Sequence, residues 1–222
     1  MSYAGSRIIF DADSHLMELP DFLTRHASEE LRDQIPALRS LGDFDFTAHA
    51  DMNEHPPEVV AKLTELGDSL TRGPKWHAAL GAFNGRERST ALDLLGFQRQ
   101  VIFCSFCARL IFETQPLSLR YATARAHNES IAEFCAADHR LIGVAVVPLD
   151  DPDQAMAHIS HAHELGLGAV WVASDAPGGR SPGHVLHDPV WALMAQLQMP
   201  FILHVGSGVL SVTDPWMNDG RP

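Results

Sequence analysis

Leu141-Ile142-Gly143-Val144-Ala145-Val146-Val147 is a run of seven residues without one polar side chain, closed by Pro148. A segment that short and that continuously apolar reads as a strand buried on both faces, which is the mark of a parallel sheet covered by helices. Gln100-Val101-Ile102-Phe103-Cys104 reads as a strand before it, and Gly168–Val172 and Pro200–Leu203 as strands after it. Helical patterns lie between. Leu117, Tyr121, Ala124, Asn128, Ile131 and Phe134 recur at spacings of three and four within residues 116–137, with Pro116 suited to the first turn. Asp151 caps a second helix with Pro152 at its first position, turns Ala155, Ile159, Ala162 and Leu165 inward, and stops at Gly166. Asp188, as cap, and Pro189 open a third, with apolar positions Val190, Leu193, Met194 and Leu197. Strand and helix alternate through short connections, so the sheet is parallel.

A first strand near residues 7–11 precedes a less regular stretch. Residues 19–25 and 28–33 read as short helices, Pro57–Leu66 as another, and 40–56, rich in Asp, His and Asn, as loop. Arg86–Leu95 is the helix leading into the second strand. We read an irregular helical insertion at about 25–85 between the first two strands. The strands then number five, near 7–11, 100–104, 141–147, 168–173 and 200–204. A closed (β/α)8 barrel needs eight and typically ~250 residues, and no further strand-helix unit fits after Gly208. The expected fold class is α/β: an open five-stranded sheet, or the front part of a barrel, in one domain of 222 residues.

Composition excludes several classes. Net charge is −12 with no basic tract, which argues against binding a phosphate backbone. Nothing approaches the ~18 consecutive apolar residues of a membrane span, and residues 1–7 lack the basic and apolar segments of a secretory signal. The expectation is a soluble cytoplasmic protein with no nucleic-acid or membrane partner. Cysteines are three, too few and too odd for a disulfide framework. Cys104 and Cys107 form a C-x-x-C without a second one to complete a zinc knuckle, so two small buried residues is the favoured reading.

The chemistry concentrates at strand ends. Asp11-Ala12-Asp13-Ser14-His15 follows directly on Ile8-Ile9-Phe10. Alternation along an extended chain puts Asp13 and His15 on one face and Ser14 on the other, so two ligands can aim at one ion. His204 ends another strand, before Gly206 and Gly208. The plain alternatives are that Asp13 and His15 cap the first helix and that His204 is a core histidine. Asp11, on the same face by alternation, either orients the ligands or is a buried structural carboxylate; Glu18 orients the site or, better, has a structural role. Arg180 could clamp a substrate carboxylate, and His184 or His187 could contact substrate, from the loop after the fourth strand, where a solvated role leads for all three. Trp76 and Phe83 have only their position in favour of lining a pocket. The other histidines of the 13 present, including His26, His49, His55, His77, His158, His161 and His163, read as incidental. Gly178-Gly179 lacks the Gly-Lys-Ser/Thr ending of a phosphate loop.

Ile9-Phe10-Asp11-Ala12-Asp13-Ser14-His15-Leu16-Met17-Glu18 resembles the opening of the amidohydrolase-related metal-dependent hydrolases and decarboxylases. This is the branch that contains aminocarboxymuconate-semialdehyde decarboxylase and γ-resorcylate decarboxylase. The resemblance continues through Asn128–Cys135, Arg140–Ala145, Glu164–Val170, Asp188–Trp191 and Pro200–His204, nearly the whole chain outside 25–85. It implies a (β/α)8 barrel with helices outside and one divalent ion, Zn or Mn, at the C-terminal face. It implies Asp13 and His15, in the place of a His-x-His or Glu-x-His, and His204 as ligands. A catalytic histidine after strand six and a metal-binding aspartate after strand eight have no counterpart before residue 222, so the resemblance covers a barrel whose C-terminal units are missing and whose catalytic residues are unknown. The implied activity is metal-dependent hydrolysis or non-oxidative decarboxylation of small carboxylated, aromatic or enolic, compounds, impaired in this chain, in a full-length protein that is a homo-oligomer. The rival expectation is a non-catalytic, degenerate barrel fragment. Barrel hydrolases of the deoxyribonuclease-like kind need more histidines on the middle strands than Cys104–Phe106 and Val147–Leu149 offer.

Overall fold

The computed structural model describes residues 2–36, 38–41, 44–174 and 177–205. They fall into two compact units, one within Met1–Phe22, Leu38–Phe106 and Ile131–Gly143, the other within Leu23–Ala37, Cys107–Ser130 and Val144–Pro222. No helix among the described residues is long and apolar enough to cross a membrane.

In the first unit, β1 (Phe10–Leu16) lies parallel to β2 (Arg99–Cys104), which lies parallel to the first half of β3 (Leu141–Val146) with Gln100 opposite Leu141 and Ile102 opposite Gly143. Ile102, Leu16 and Leu92 are fully buried. Helices α1 (Pro57–Glu65) and α2 (Gly85–Leu95) pack on each other and on a 3-10 segment, Gly67–Arg72, through Leu63, Leu80 and Ala91 with Val59, Val60, Leu66 and Leu70 around them. Asn84 caps α2 by accepting from the Arg86 and Glu87 amides, and Gly96 ends it at φ +75°.

Three expectations for this region need correction. The first strand is not confined to about residues 7–11: β1 runs from Phe10 to Leu16, through the whole of Asp11–His15, while Ile8 and Phe10 stay exposed. Its pairing decides this, since the ladder to β2 starts at Phe10 opposite Arg99. Residues 40–56 are not all loop. Ser40–Leu41 pairs antiparallel with Phe44–Asp45, and Asp45 caps a 3-10 turn, Phe46–His49, through the Thr47 amide. Residues 20–26 form successive turns, and helix begins only at Glu29–Arg32.

In the second unit, the latter half of β3 pairs with β4 (Ala169–Val172), and β4 with β5 (Phe201–Leu203), all parallel. Helix α3 (Cys107–Glu113), absent from the sequence reading, puts Cys107 on a helix rather than a strand; α4 (Leu117–Cys135) follows. Among the described residues no two cysteines form a disulfide, and Cys104 and Cys107 are buried. Helices α5 (Pro152–Glu164) and α6 (Asp188–Leu197) pack together, with Ala155, Ile159, Ala162, Val190 and Met194 buried. The cap of α6 is His187 and not Asp188, because the 3-10 turn Val185–His187 runs straight into the helix. The strand order β1-β2-β3-β4-β5, every neighbouring pair parallel and each later strand preceded by helix, is that of a partial (β/α)8 barrel.

Candidate metal centre

β1 carries one residue more than β2 between two of its paired positions. Asp11 lies opposite Gln100 and Ser14 opposite Ile102, so the ladder bulges over Ala12 and Asp13. A bulge shifts the alternation by one. Strict alternation puts Asp11 on the face of Asp13 and His15. In the structure Asp11 instead accepts from Gln100 Nε2 at 3.0 Å, and Gln100 Oε1 accepts from Arg88 at 3.4 Å. Ser14 is on this side as well, its Oγ accepting from Arg88 Nη1 at 2.8 Å. Beyond the bulge the expected separation holds: His15 Nε2 stands 3.3 Å from Asp13 Oδ1.

The other nitrogen of His15 decides what that 3.3 Å contact is. His15 Nδ1 lies 2.9 Å from the Cys104 carbonyl oxygen at the end of β2, and a carbonyl can only accept, so Nδ1 carries the hydrogen. In the neutral ring Nε2 is then a lone pair, and it faces a carboxylate oxygen. Two acceptors aimed at each other require a positive charge between them, either a proton on the ring or a metal ion. The arrangement of an imidazole that donates one N–H to a backbone carbonyl and aims the other nitrogen at an ion is the usual one for a ligating histidine. The ring also stacks on Phe103, centroids 5.5 Å apart, which fixes its plane.

Arg88 holds the strand from behind. Its Nη2 donates to the His15 carbonyl at 2.8 Å and its Nε to the Gly81 carbonyl at 2.7 Å, with Cζ 5.6 Å from the Phe134 ring centre. Burial pulls its pKa down to about 10, against the opposing pull of the Asp11 charge and, more weakly, of Cys135. Burial likewise pushes the Cys135 thiol up to about 12, so it carries no thiolate chemistry near neutrality. A cavity of about 370 Å³ opens in this unit, with Asp11, His15, Lys75, Trp76, Arg88 and Gln100 among its walls. Trp76, which had only its position in favour of such a role, lines this cavity, whereas Phe83 packs on the His55 and His77 rings.

Arg88 and Gln100 were not singled out by the sequence reading. A signal for Arg88 was available: it precedes the buried Ala91, Leu92 and Leu95 by three, four and seven residues, a charge on the apolar stripe of a helix. Two histidines read as incidental are also buried. His55 Nδ1 meets Glu87 Oε2 at 2.7 Å and its Nε2 meets the His77 carbonyl at 2.7 Å. His77 donates from Nε2 to the Glu18 carbonyl at 2.8 Å and stacks on His49 at 4.0 Å. Glu18 is fully buried, its Oε1 accepting from the Phe106 amide at 2.7 Å, which ties the end of β1 to the residues after β2.

In the second unit, His204 directly follows β5. Its Nδ1 lies 2.7 Å from the Val205 carbonyl, so this ring too carries a hydrogen on Nδ1, which in the neutral ring leaves Nε2 with a lone pair. The ring lies tilted against Trp171, centroids 4.8 Å apart. Arg180 is exposed. His184 accepts from the Leu186 amide at 3.2 Å and so caps the turn into α6. His187, expected on a solvated loop, is buried between the Ser181 and Leu149 carbonyls. Gly206, Gly208 and the residues after them lie outside the described residues.

Known proteins agree with this architecture. An amidohydrolase from Mycobacterium avium subsp. paratuberculosis K-10 is similar at a TM-score of 0.65 and 21% identity, over 91% of this chain and 60% of that one. The 5-carboxyvanillate decarboxylase of Novosphingobium aromaticivorans DSM 12444, complexed with manganese and 4-hydroxy-3-methoxy-5-nitrobenzoic acid, is similar at 0.52 and 17%, over 90% of this chain and 50% of that one. The chain therefore spans between half and three-fifths of the length of these structures. Comparison with the curated proteins gives no match. The family model described as Amidohydrolase matches residues 50–219, well over half of the sequence, and the chain belongs to the amidohydrolase family of metal-dependent enzymes.

Proposed function

We propose that Asp13, His15 and His204 hold one divalent ion, Zn²⁺ or Mn²⁺, in a cytoplasmic metal-dependent hydrolase or non-oxidative decarboxylase of small carboxylated, aromatic or enolic, compounds. The observation that carries the proposal is the His15–Asp13 pair: an imidazole whose Nδ1 donates to the Cys104 carbonyl and whose Nε2 stands 3.3 Å from a carboxylate oxygen. His204, with its hydrogen likewise on Nδ1 and its place directly after a parallel strand, is a third donor of suitable chemistry. One carboxylate and two imidazoles suit both metals and do not choose between them. When bound, such an ion supplies Lewis acidity to a substrate oxygen or lowers the pKa of a water towards neutrality. The chain's own residues do the rest. The Cys104 carbonyl and the Phe103 ring hold His15 in one tautomer and one plane, and Asp11, bonded through its Oδ1 to the Asp13 amide at 3.2 Å, turns Asp13 towards it. Arg180 and His184 are the candidates for reaching a substrate carboxylate from the loop after β4. The decarboxylase neighbour, which holds manganese and a nitrobenzoic acid, supports the substrate class by its bound ligands.

The test is thermal unfolding of the 222-residue chain with and without Mn²⁺ or Zn²⁺. Binding only to the folded state at 100 times Kd adds about 2.7 kcal/mol, which for a chain of this size is a rise in Tm of roughly 5–10 °C. Asp13→Ala and His204→Ala should each abolish the rise. A wild-type Tm that ignores both metals, or a rise that persists in both variants, sinks the proposal. Turnover of a carboxylated phenol, followed by CO₂ release against hydrolysis of an ester or lactone, then separates the two chemistries.

A further inference from the structure

β1 has an unusual mechanical problem at the point that matters most. Among the described residues it pairs with β2 alone, and the bulge at Ala12–Asp13 interrupts even that ladder between Asp11 and Ser14. The ladder resumes at Ser14, with His15 opposite Phe103, so among the two candidate ligands it is Asp13 that lies in the bulge, outside the paired register. Arg88, 8% exposed and rooted in α2, makes up the deficit. One guanidinium spans the gap, donating to Ser14 Oγ at 2.8 Å and to the His15 carbonyl at 2.8 Å. Its Nε is anchored on the Gly81 carbonyl at 2.7 Å, in the turn whose Ala82 carbonyl accepts from the Met17 amide at 2.7 Å. Through Gln100 it also reaches Asp11, and Asp11 in turn accepts from the Asp13 amide. Both ends of the Asp13–His15 segment thus return to one planar group, a geometry that a lysine cannot reproduce.

We propose that Arg88 is the positioning residue of the metal centre, holding the bulged end of β1 so that Asp13 Oδ1 and His15 Nε2 meet at one point. The inference rests on the metal reading above and adds to it a residue that touches neither ion nor substrate. Removal of the partners that orient a metal ligand weakens metal binding by roughly 10–100-fold, and Arg88→Lys should fall in that range.

The experiment is a Mn²⁺ titration of the full chain, read from the loss of the free-ion EPR signal, alongside the visible spectrum of the Co²⁺-loaded protein. Far-UV circular dichroism and Tm are recorded without metal. We expect Arg88→Lys to keep its fold, to bind Mn²⁺ at least tenfold more weakly and to alter the Co²⁺ bands, which report ligand geometry. Ser14→Ala, which removes one acceptor of the brace outside the helix, should show a smaller loss in the same direction. A folded Arg88→Lys that binds as tightly as wild type, with unchanged Co²⁺ bands, overturns the inference. If Arg88→Lys does not fold, wild-type affinity in both Ser14→Ala and Gln100→Leu overturns it instead. Asp13→Ala tells the two failures apart. Wild-type binding that Asp13→Ala abolishes and Arg88→Lys leaves intact removes only the role of Arg88, whereas a wild type that binds no ion removes the metal reading and this inference together.

Discussion

Gly81 shows how tightly single residues are constrained around β1. Its φ is +73°, and a Cβ built there lies 2.4 Å from Arg88 Cα and 2.5 Å from Arg88 N. Those neighbours are helix backbone, so nothing flexible can yield. Gly81→Ala combines a left-handed backbone with an overlap against α2, and we expect it to cost about 2–4 kcal/mol. Urea unfolding checks this: the midpoint should fall with the slope unchanged, and a midpoint within error of wild type would show that α2 can shift after all. The same scale explains what was legible at the site. That Asp13 and His15 meet was legible because the pairing is local, two residues apart on a strand. Arg88 and the His55–Glu87 pair escaped because their partners are remote, 73 residues away for the Arg88–His15 bond and 32 for His55–Glu87. Nothing in the residues around His55 separates a buried histidine from a solvated one.

Elements were legible where the chain carries its own punctuation. Asp151-Pro152 opened α5 as expected: the Asp151 carboxylate accepts from the Asp153 amide at 3.0 Å and the Gln154 amide at 3.2 Å, and the helix gives way to Gly166 at φ +78°. Asp151→Ala should cost about 1 kcal/mol, while Asp151→Asn, an equally good cap, should cost almost nothing. Equal losses in the two variants, measured by chemical unfolding, would mean that charge and not capping is what the position supplies. Elements without such signals were misread. Residues 20–26 have helical spacing of apolar side chains, yet Phe22 and Ala27 close onto Leu19 and Thr24 as isolated turns. Helix α3, seven residues long, is too short for its apolar positions to show a period. The bulge in β1 was likewise invisible, because it is defined by the partner strand and not by β1 itself.

At the scale of the whole molecule, the β/α alternation from residue 100 onward was legible, since each run of apolar residues long enough for a buried strand was matched by one. The distribution of buried histidines was not, and it governs how stability should depend on pH. Burial is the main cause that lowers His158 from an ordinary 6.5 to about 4, with repulsion from Arg125 and then His161 adding to it; its ring packs on Tyr121 in the second unit. Burial also lowers His77 in the first, opposed by its bond to the Glu18 carbonyl. Both histidines fold neutral. Below pH 6.5 the unfolded chain takes up protons that the folded chain refuses, so stability is full above that value and declines as pH falls towards 4. For His158 the loss reaches about 3 kcal/mol at most. Asp138, held well below the usual carboxylate range chiefly by its hydrogen bonds from Arg140, adds to the decline only at the acid end of this window, where the unfolded chain begins to take up its proton and the folded chain does not. Thermal unfolding of the metal-free protein between pH 7 and 4 should therefore show a falling Tm. His158→Gln, which cannot take up the proton, should make that fall shallower even if its Tm at pH 7 is lower. A variant whose Tm tracks wild type in parallel across the range would locate the pH dependence elsewhere and remove His158 from the account.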